Sequence, residues 1–333
     1  MLPRVDGIAE YETGMQHAMA IYYGLLDHFF FGDSTMPSLR RIVAATDFSV
    51  FSERVIQRAA QLAKQHQAEL HLMHVVRPLD LYPGLSAGPD AFGQGDEDLR
   101  QNEQNRLETM AAGLADDFGI EVLPISRLGR AHAEIASYAR EISADLLAAG
   151  ARGESTLMDL VLGSTVSRIL RVAPCPVLIV RNAAADPYGH VVAAVDFSPA
   201  SAVVLEYAVL LAGGARVQAL HVLGSEVEQR LRRAKADRVD VTGWLARLEG
   251  DAEAKLAALL AAAPDEAAIE RVVRPGFAPA VICECIETNQ ADLIVVGRHG
   301  HGGGLQDWLL GSVSKDVALA ASCDVLVIAP SAV

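Results

Sequence analysis

The chain contains one series of short motifs twice, and this repeat constrains its fold more than any other feature. AATDFS at positions 44–49 returns as AAVDFS at 193–198, and ADLLAAG at 144–150 returns as ADLIVVG at 291–297. The motifs keep their order, and the period is close to the length of a domain, whereas periods of about 20–50 residues indicate solenoids. We therefore predict two copies of a whole domain.

Length, composition and charge agree with two soluble domains. The chain has 333 residues, of which 51% are apolar and 21% charged, as in globular proteins with large cores. The net charge of −14 argues against nucleic acid as a partner, because phosphate backbones require clustered Lys and Arg. The four cysteines form neither a CxxC nor a zinc pattern, which favours a reducing cytoplasm.

Residues 1–36 belong to neither copy, so we predict an N-terminal helical extension (1–36) and two domains at 37–183 and 188–333. Apolar residues between Met15 and Phe31 recur at helical spacing. Acidic residues rule out a basic signal-peptide start, and Asp27 interrupts a stretch that is marginal for a membrane span. We expect a helix that docks on the body or on a partner. A membrane-surface helix and a true start at Met36 are the alternatives.

Each copy alternates short β-branched runs with longer helical patterns. In the first copy the pattern predicts strands at 42–46, 69–76, 121–127, 145–149 and 176–180, and helices at 50–66, 97–118, 131–142 and 164–172. Strands that are apolar on both faces and separated by helices indicate a parallel sheet covered on both sides. The predicted fold class is α/β, with two doubly wound (Rossmann-like or flavodoxin-like) domains, each with a five-stranded parallel sheet. Such folds bind ligands beyond the carboxyl ends of the strands, where the strand order reverses.

Two segments follow strands that end at that edge. Asp47 comes after the first strand, and the fourth strand leads into Gly150-x2-Gly153-x9-Gly163, which Ser164 and Thr165 follow at a helix start. Glycines allow close approach to the backbone, and a helix N-terminus favours an anion. In the more ordinary interpretation the glycines form a βα turn, Ser164 is an N-cap and Asp47 caps the helix that follows the first strand. Taken together, the residues favour binding of a polyphosphate.

The spacing of these glycines resembles the nucleotide motif of the universal stress protein family. The turn at 47–49, the strand LMHV at 72–75 and the closing APCPVLIV at 173–180 are similar to that family too, and the resemblance covers about 39–330. It implies ATP or another adenine nucleotide as ligand, with or without Mg²⁺. By position, it implies that the adenosine lies near Asp47 and Val75. The same resemblance assigns the ribose and phosphates to the glycine loop and helix start, at Gly150, Gly153, Gly163, Ser164 and Thr165.

The second copy departs from this pattern by one residue. Ten residues separate the glycines at 300 and 311, in place of nine, and the extra residue falls within the glycine run 302–304. Either the insertion bulges outward and leaves the cradle usable, or it displaces the amides. The resemblance implies a less certain second site at Asp196, Val222, Gly297, Gly300, Gly311, Ser312 and Val313. His299 and His301 lie in this loop without a Cys or carboxylate partner, so we predict no metal site.

The expected function is that of a cytoplasmic, stress-response regulator that binds nucleotide and whose conformation an unidentified protein partner reads. One alternative is an enzyme, either a slow ATPase or a protein that cleaves ATP between its α and β phosphates, although the sequence contains no P-loop. The other is a nucleotide-free interaction scaffold. Family members commonly dimerise through the last strand, so strands 176–180 and 324–328 are expected to pair within one chain, and a homodimer stays open. The Gly/Pro-rich loop 78–96 is a candidate lid, and the basic run 230–235 reads as a solvated helix face.

Overall fold

The computed structural model describes residues 37–78, 93–151, 162–183, 186–224, 241–261, 269–299 and 310–329. These ranges contain ten strands and eight helices. The first copy contains β1 (Arg41–Ala45), α1 (Val50–His66), β2 (Glu69–Val76), α2 (Gly93–Phe118), β3 (Val122–Leu128), α3 (Ala131–Glu141), β4 (Leu146–Gly150), α4 (Ser164–Val172) and β5 (Val177–Val180). The second copy contains β6 (His190–Val195), α5 (Ala200–Ala212), β7 (Arg216–Gly224), α6 (Val241–Ala261), β8 (Ile269–Gly276), α7 (Ala278–Asn289), β9 (Leu293–Gly297), α8 (Ser312–Ala320) and β10 (Asp324–Ile328).

All ten strands belong to one sheet, in the order β3-β2-β1-β4-β5-β10-β9-β6-β7-β8. Within each copy the five strands are parallel, which confirms the predicted doubly wound α/β architecture. In both copies the order reverses beside the first strand, between β1 and β4 and between β6 and β9. These two reversals are where a doubly wound sheet offers a ligand crevice.

Helices cover both faces of the sheet. Side chains of α1, α2, α5 and α6 pack in one buried cluster, and those of α3, α4, α7 and α8 pack in another. The central strands β4, β5, β9 and β10 are almost entirely buried, which explains why they read as continuous apolar runs instead of alternating patterns. None of the helices in the described ranges is both long and apolar enough to cross a bilayer.

Most element bounds of the first copy agree with the sequence prediction. The helices at 50–66 and 164–172 and the strand at 69–76 have the predicted limits, and the other strands shift by a residue. The prediction for the second helix was wrong at its start, because α2 begins at Gly93 and not at Glu97. The predicted loop 78–96 is therefore shorter. Its residues 79–92, the extension 1–36 and the basic run 230–235 lie outside the described residues.

The two copies join through their last strands, as predicted. β5 and β10 pair antiparallel, with Val325 opposite Ile179 and Val327 opposite Val177. Both strands are buried, so this pairing covers two apolar sheet edges that would otherwise invite association with another chain. The predicted domain limits of 37–183 and 188–333 stay predictions, because the sheet continues across them.

A buried carboxylate ties the connection between the copies to the sheet. Asp324 Oδ1 accepts hydrogen bonds from the backbone amides of Arg181 (2.8 Å) and Asn182 (3.2 Å), and Oδ2 accepts one from the Tyr188 hydroxyl (2.9 Å). Arg58 Nε lies 3.4 Å from Oδ2. Desolvation raises the pKa of the Asp324 carboxyl, and the amides and Arg58 oppose that rise. Burial and the Asp324 carboxylate raise the pKa of the Tyr188 hydroxyl. The first copy has Pro176 at the position of Asp324.

We expect Asp324→Ala to lower the free energy of unfolding by about 3 kcal/mol or more, because the buried Arg58 loses its charged partner. Tyr188→Phe removes one hydrogen bond and should cost about 1 kcal/mol. Urea denaturation measures both. Asp251→Ala, which removes an exposed carboxylate from α6, is the control. Equal values for Asp324→Ala and Asp251→Ala would show that the buried contacts of Asp324 do not stabilise the fold.

Candidate functional site

The predicted first-copy residues meet at the reversal of strand order. Asp47 follows β1 and is exposed, and Gly150 is the last residue of the adjacent strand β4. Val75 lies near the carboxyl end of β2, on the other side of β1, and is half-buried. Because the carboxyl ends of parallel strands share one edge, the sheet brings these three residues to one end of the crevice. Gly153 lies outside the described residues.

The N-terminus of α4 is attached directly to the end of β4. The amide of Gly163 donates a hydrogen bond to the Ala151 carbonyl (2.9 Å), one residue beyond the strand. Gly163 is the N-cap and makes no side-chain cap bond, while Ser164 and Thr165 are the exposed first residues of the helix. The ordinary interpretation of Ser164 as an N-cap is therefore wrong. A glycine at this position leaves the first-turn amides without a capping side chain, as an anion site requires.

The turn after β1 is held by its own side chains. Ser49, not Asp47, is the N-cap of α1, and its hydroxyl accepts a hydrogen bond from the Ser52 amide. Asp47 Oδ1 accepts from the amide (3.1 Å) and the hydroxyl (2.6 Å) of Ser49. The alternative in which Asp47 caps the helix is therefore wrong as stated. Instead, Asp47 fixes the residue that caps the helix, and its carboxylate stays at the exposed edge.

An aromatic pair connects the ends of β1 and β2. His74 Nδ1 lies 2.8 Å from the Thr46 carbonyl oxygen, and the rings of Phe48 and His74 have centroids 4.5 Å apart. The Arg106 guanidinium lies 4.0 Å from the centre of the Phe48 ring. Phe48 has a φ of 62°, a left-handed conformation that is costly for an aromatic residue. These contacts hold the strained turn that presents Asp47.

The second copy reproduces these backbone features. Phe197 has a φ of 61°, and the centroid of its ring lies 4.2 Å from that of the His221 ring. His221 Nδ1 lies 2.8 Å from the Val195 carbonyl oxygen. The Gly311 amide donates to the Arg298 carbonyl (2.9 Å), as Gly163 does in the first copy. The remaining predicted residues occupy matching positions: Val222 in β7, Gly297 at the end of β9, and Ser312 and Val313 at the start of α8, with Gly311 as N-cap.

The second copy differs in its side chains and loop. Asp196 is half-buried and accepts hydrogen bonds from the Ser198 amide (3.0 Å) and the Ser201 hydroxyl (3.1 Å). Val313 replaces the hydroxyl of Thr165. Gly300, the glycine run 302–304 and His301 lie outside the described residues. The loop ends keep the same closing hydrogen bond as in the first copy. His299 belongs to no metal-binding cluster within the described ranges.

Comparison with known proteins agrees with this architecture. The family model described as "Universal stress protein family" matches residues 38–181 and again 187–329. The chain belongs to the universal stress protein family. A universal stress protein of Mycolicibacterium smegmatis is 30% identical over 309 residues, which cover 87% of this chain and 97% of the relative.

Tandem relatives and a solved structure extend this likeness. Universal stress protein Rv1996 of Mycobacterium tuberculosis is 29% identical over 316 residues, covering 86% of this chain and 94% of the relative. The crystal structure of a universal stress protein from Archaeoglobus fulgidus has a TM-score of 0.61 at 21% identity, covering 86% of this chain and 97% of that one. At this identity the likeness shows the fold alone.

Phe48 and His74 belong to the repeated motifs, but the sequence alone did not lead us to assign a role to either residue. The repeat could have indicated a shared role, because the same Phe and His recur as Phe197 and His221 in the second repeat. The contact of Arg106 with Phe48 could not be predicted from the sequence, because Arg106 lies on α2, far from the turn in sequence. Its position over the Phe48 ring depends on how α2 packs against the sheet.

The corrected capping assignment leads to a test. Ser49→Ala should lower the free energy of unfolding by about 1 kcal/mol, because it removes the N-cap of α1. Ser164→Ala, the matched change at the start of α4, should fall within roughly 0.5 kcal/mol of the wild type, because Ser164 is exposed and does not cap its helix. Urea denaturation measures both. A larger decrease in the free energy of unfolding for Ser164→Ala would show that Ser164 does act as the N-cap of α4.

Proposed function

We propose that this universal stress protein is a regulator that binds an ATP-type adenine nucleotide at the first repeat. The α4 N-terminus carries the proposal: it is capped by a glycine alone and fastened to the end of β4, beside the reversal of strand order. Backbone amides and hydroxyls at such a helix start suit phosphate oxygens without a lysine. Ser164 and Thr165 would contact phosphates there, and Asp47 and Val75 would lie by the adenosine.

The first repeat is the better of the two sites. Asp47 is exposed, whereas Asp196 is half-buried and accepts a hydrogen bond from Ser201. Thr165 provides a hydroxyl where Val313 has none. We therefore propose one nucleotide per chain, with the second cradle weaker in spite of its matching loop ends.

A regulatory role is favoured over an enzymatic one. Apart from Asp47, no acidic side chain of the proposed first-repeat site residues is available as a general base, and Asp47 holds the turn through Ser49. The nucleotide would act by fixing the crevice between β1 and β4 and the start of α4. A protein partner would then distinguish the filled crevice from the empty one. Slow hydrolysis and a nucleotide-free scaffold are the alternatives that the next experiment separates.

Gly163→Asp should abolish nucleotide binding, because it places a carboxylate against the phosphates at the helix start. The matched change in the second repeat, Gly311→Asp, should leave about one nucleotide bound per chain. The measurement is the nucleotide released from denatured protein, identified by chromatography, together with calorimetric titration of ATP. Thermal unfolding of each variant checks the fold, and phosphate release from bound ATP should stay at the background rate.

Three outcomes would contradict the proposal. About two nucleotides per chain would show that both cradles work. No binding to the wild type, in extracts and in titration, would leave a scaffold. Steady phosphate release that Asp47→Asn abolishes would establish an enzyme.

A further inference from the structure

A cavity of about 330 Å³ lies where the first repeat meets the second. It is bordered by the carboxyl ends of β4 and β5, by the first turn of α1 and by the carboxyl end of α8. The residues that matter for its chemistry are Phe51, Arg54, Ala151, Arg181, Asn182 and Ser322. The cavity thus draws on both repeats, and of the described nucleotide-site residues only Gly150 borders it.

The repeats differ at a position that borders the cavity. Arg298 occupies the place in the second repeat that Ala151 has in the first, directly after the glycine that ends the fourth strand. The Arg298 side chain is buried, and its Nη2 donates to the carbonyl oxygen of Arg171 at the end of α4. The Arg298 side chain therefore reaches from the second repeat across the junction to the first. Ala151, which borders the cavity, has no side chain that could reach across the junction in this way.

A different arginine binds the matching helix end beside the cavity. Leu319 on α8 corresponds to Arg171 on α4, and its carbonyl oxygen accepts from Arg181 Nη2 (3.2 Å). Arg181 follows β5 and also donates to the Ala318 carbonyl. It therefore approaches the helix end from the connection between the repeats and not from the fourth strand. The Ala318 and Leu319 carbonyls are thus paired with Arg181, and the cavity lies beside them.

The charge of the lining selects an anion. Arg54 and Arg181 both border the cavity, and the described lining contains no acidic residue. Arg54 is exposed and donates from Nη1 to the Arg181 carbonyl (2.9 Å), which holds its guanidinium at the cavity. Guanidinium groups bind phosphate and carboxylate oxygens with charge-assisted hydrogen bonds. The volume exceeds what a single inorganic ion fills.

We propose that this cavity is a second ligand site, which binds a small organic anion bearing phosphate or carboxylate groups at the junction of the repeats. The anion would contact Arg54 and the side-chain amide of Asn182, whose Nδ2 also donates to the Ser322 carbonyl oxygen (2.9 Å). Arg181 would provide positive charge from the wall. Because the lining includes the end of α8, the occupied site would hold the second repeat against the first. This inference does not require that the first repeat bind nucleotide.

The test uses calorimetric titration of the full chain with two probes, inorganic pyrophosphate and citrate, at constant ionic strength. Arg54→Gln should raise the Kd of the bound probe about tenfold or more, because one charge-assisted contact is lost. Arg271→Gln, which removes an exposed arginine from β8, is the matched control and should leave the Kd unchanged. The probe that binds more tightly distinguishes a phosphate ligand from a carboxylate ligand.

Two further variants separate this site from the nucleotide site. Ala151→Arg should abolish binding of the probe, since a long side chain at this position would occupy the cavity, and the matching position in the second repeat already holds the buried Arg298. Thermal unfolding checks its fold. Gly163→Asp should leave the affinity of the cavity for the probe unchanged. The proposal is overturned if neither probe binds at millimolar concentration or if Arg54→Gln and Arg271→Gln behave alike. It is also overturned if Gly163→Asp alone abolishes binding, because the anion would then lie at the glycine loop.

Discussion

The antiparallel pairing of β5 with β10 is the contact on which the rest of the architecture depends. Each repeat ends in a short, wholly apolar strand, and an unpaired strand of this kind would expose both hydrogen-bonding groups and hydrophobic surface. Pairing the two strands satisfies these hydrogen-bonding groups and buries the hydrophobic surface within one chain. It also makes a ten-stranded sheet from two five-stranded ones. It also places the carboxyl end of each repeat's last helix against the other repeat, where Arg181 and Arg298 bind it.

The junction is also where the two repeats have diverged in the chemistry of their side chains. Pro176 begins the last strand of the first repeat, and Asp324 stands at the same place in the second. A proline has no amide to donate and no side chain to accept hydrogen bonds. The carboxylate accepts two amides of the connecting segment and a tyrosine hydroxyl, and it lies beside Arg58. One substitution thereby fixes the path of the chain from one repeat to the next.

The sequence was sufficient to predict features that depend on local pattern or on the comparison of the two copies. The limits of α1, α4 and β2 follow from periodicity, and the pairing of the last strands was predicted from the resemblance to a family whose members commonly dimerise through that strand. Capping was harder, because Ser49 and Ser164 both stand near a helix start and only the backbone distinguishes a cap from a first helical residue. Asp324 was missed because its partners lie more than a hundred residues away in sequence.

Fusion of the repeats explains how such differences are possible. In a symmetric dimer of identical chains, each interface position occurs twice, so a residue that fills one junction also fills the other. An arginine or an alanine at the position of Ala151 and Arg298 would therefore stand at both junctions. In the fused chain the two positions vary independently: here Arg298 binds the end of α4 at one junction, while Ala151 borders a cavity beside Arg54 at the other. The repeated backbone preserves the turns, the Phe–His pairs and the glycine caps, since these determine the fold of each half. The side chains at the junction do not determine the fold of each half, so they can differ between the repeats. The two halves of a tandem protein can therefore bind different ligands without a change in the sheet that joins them.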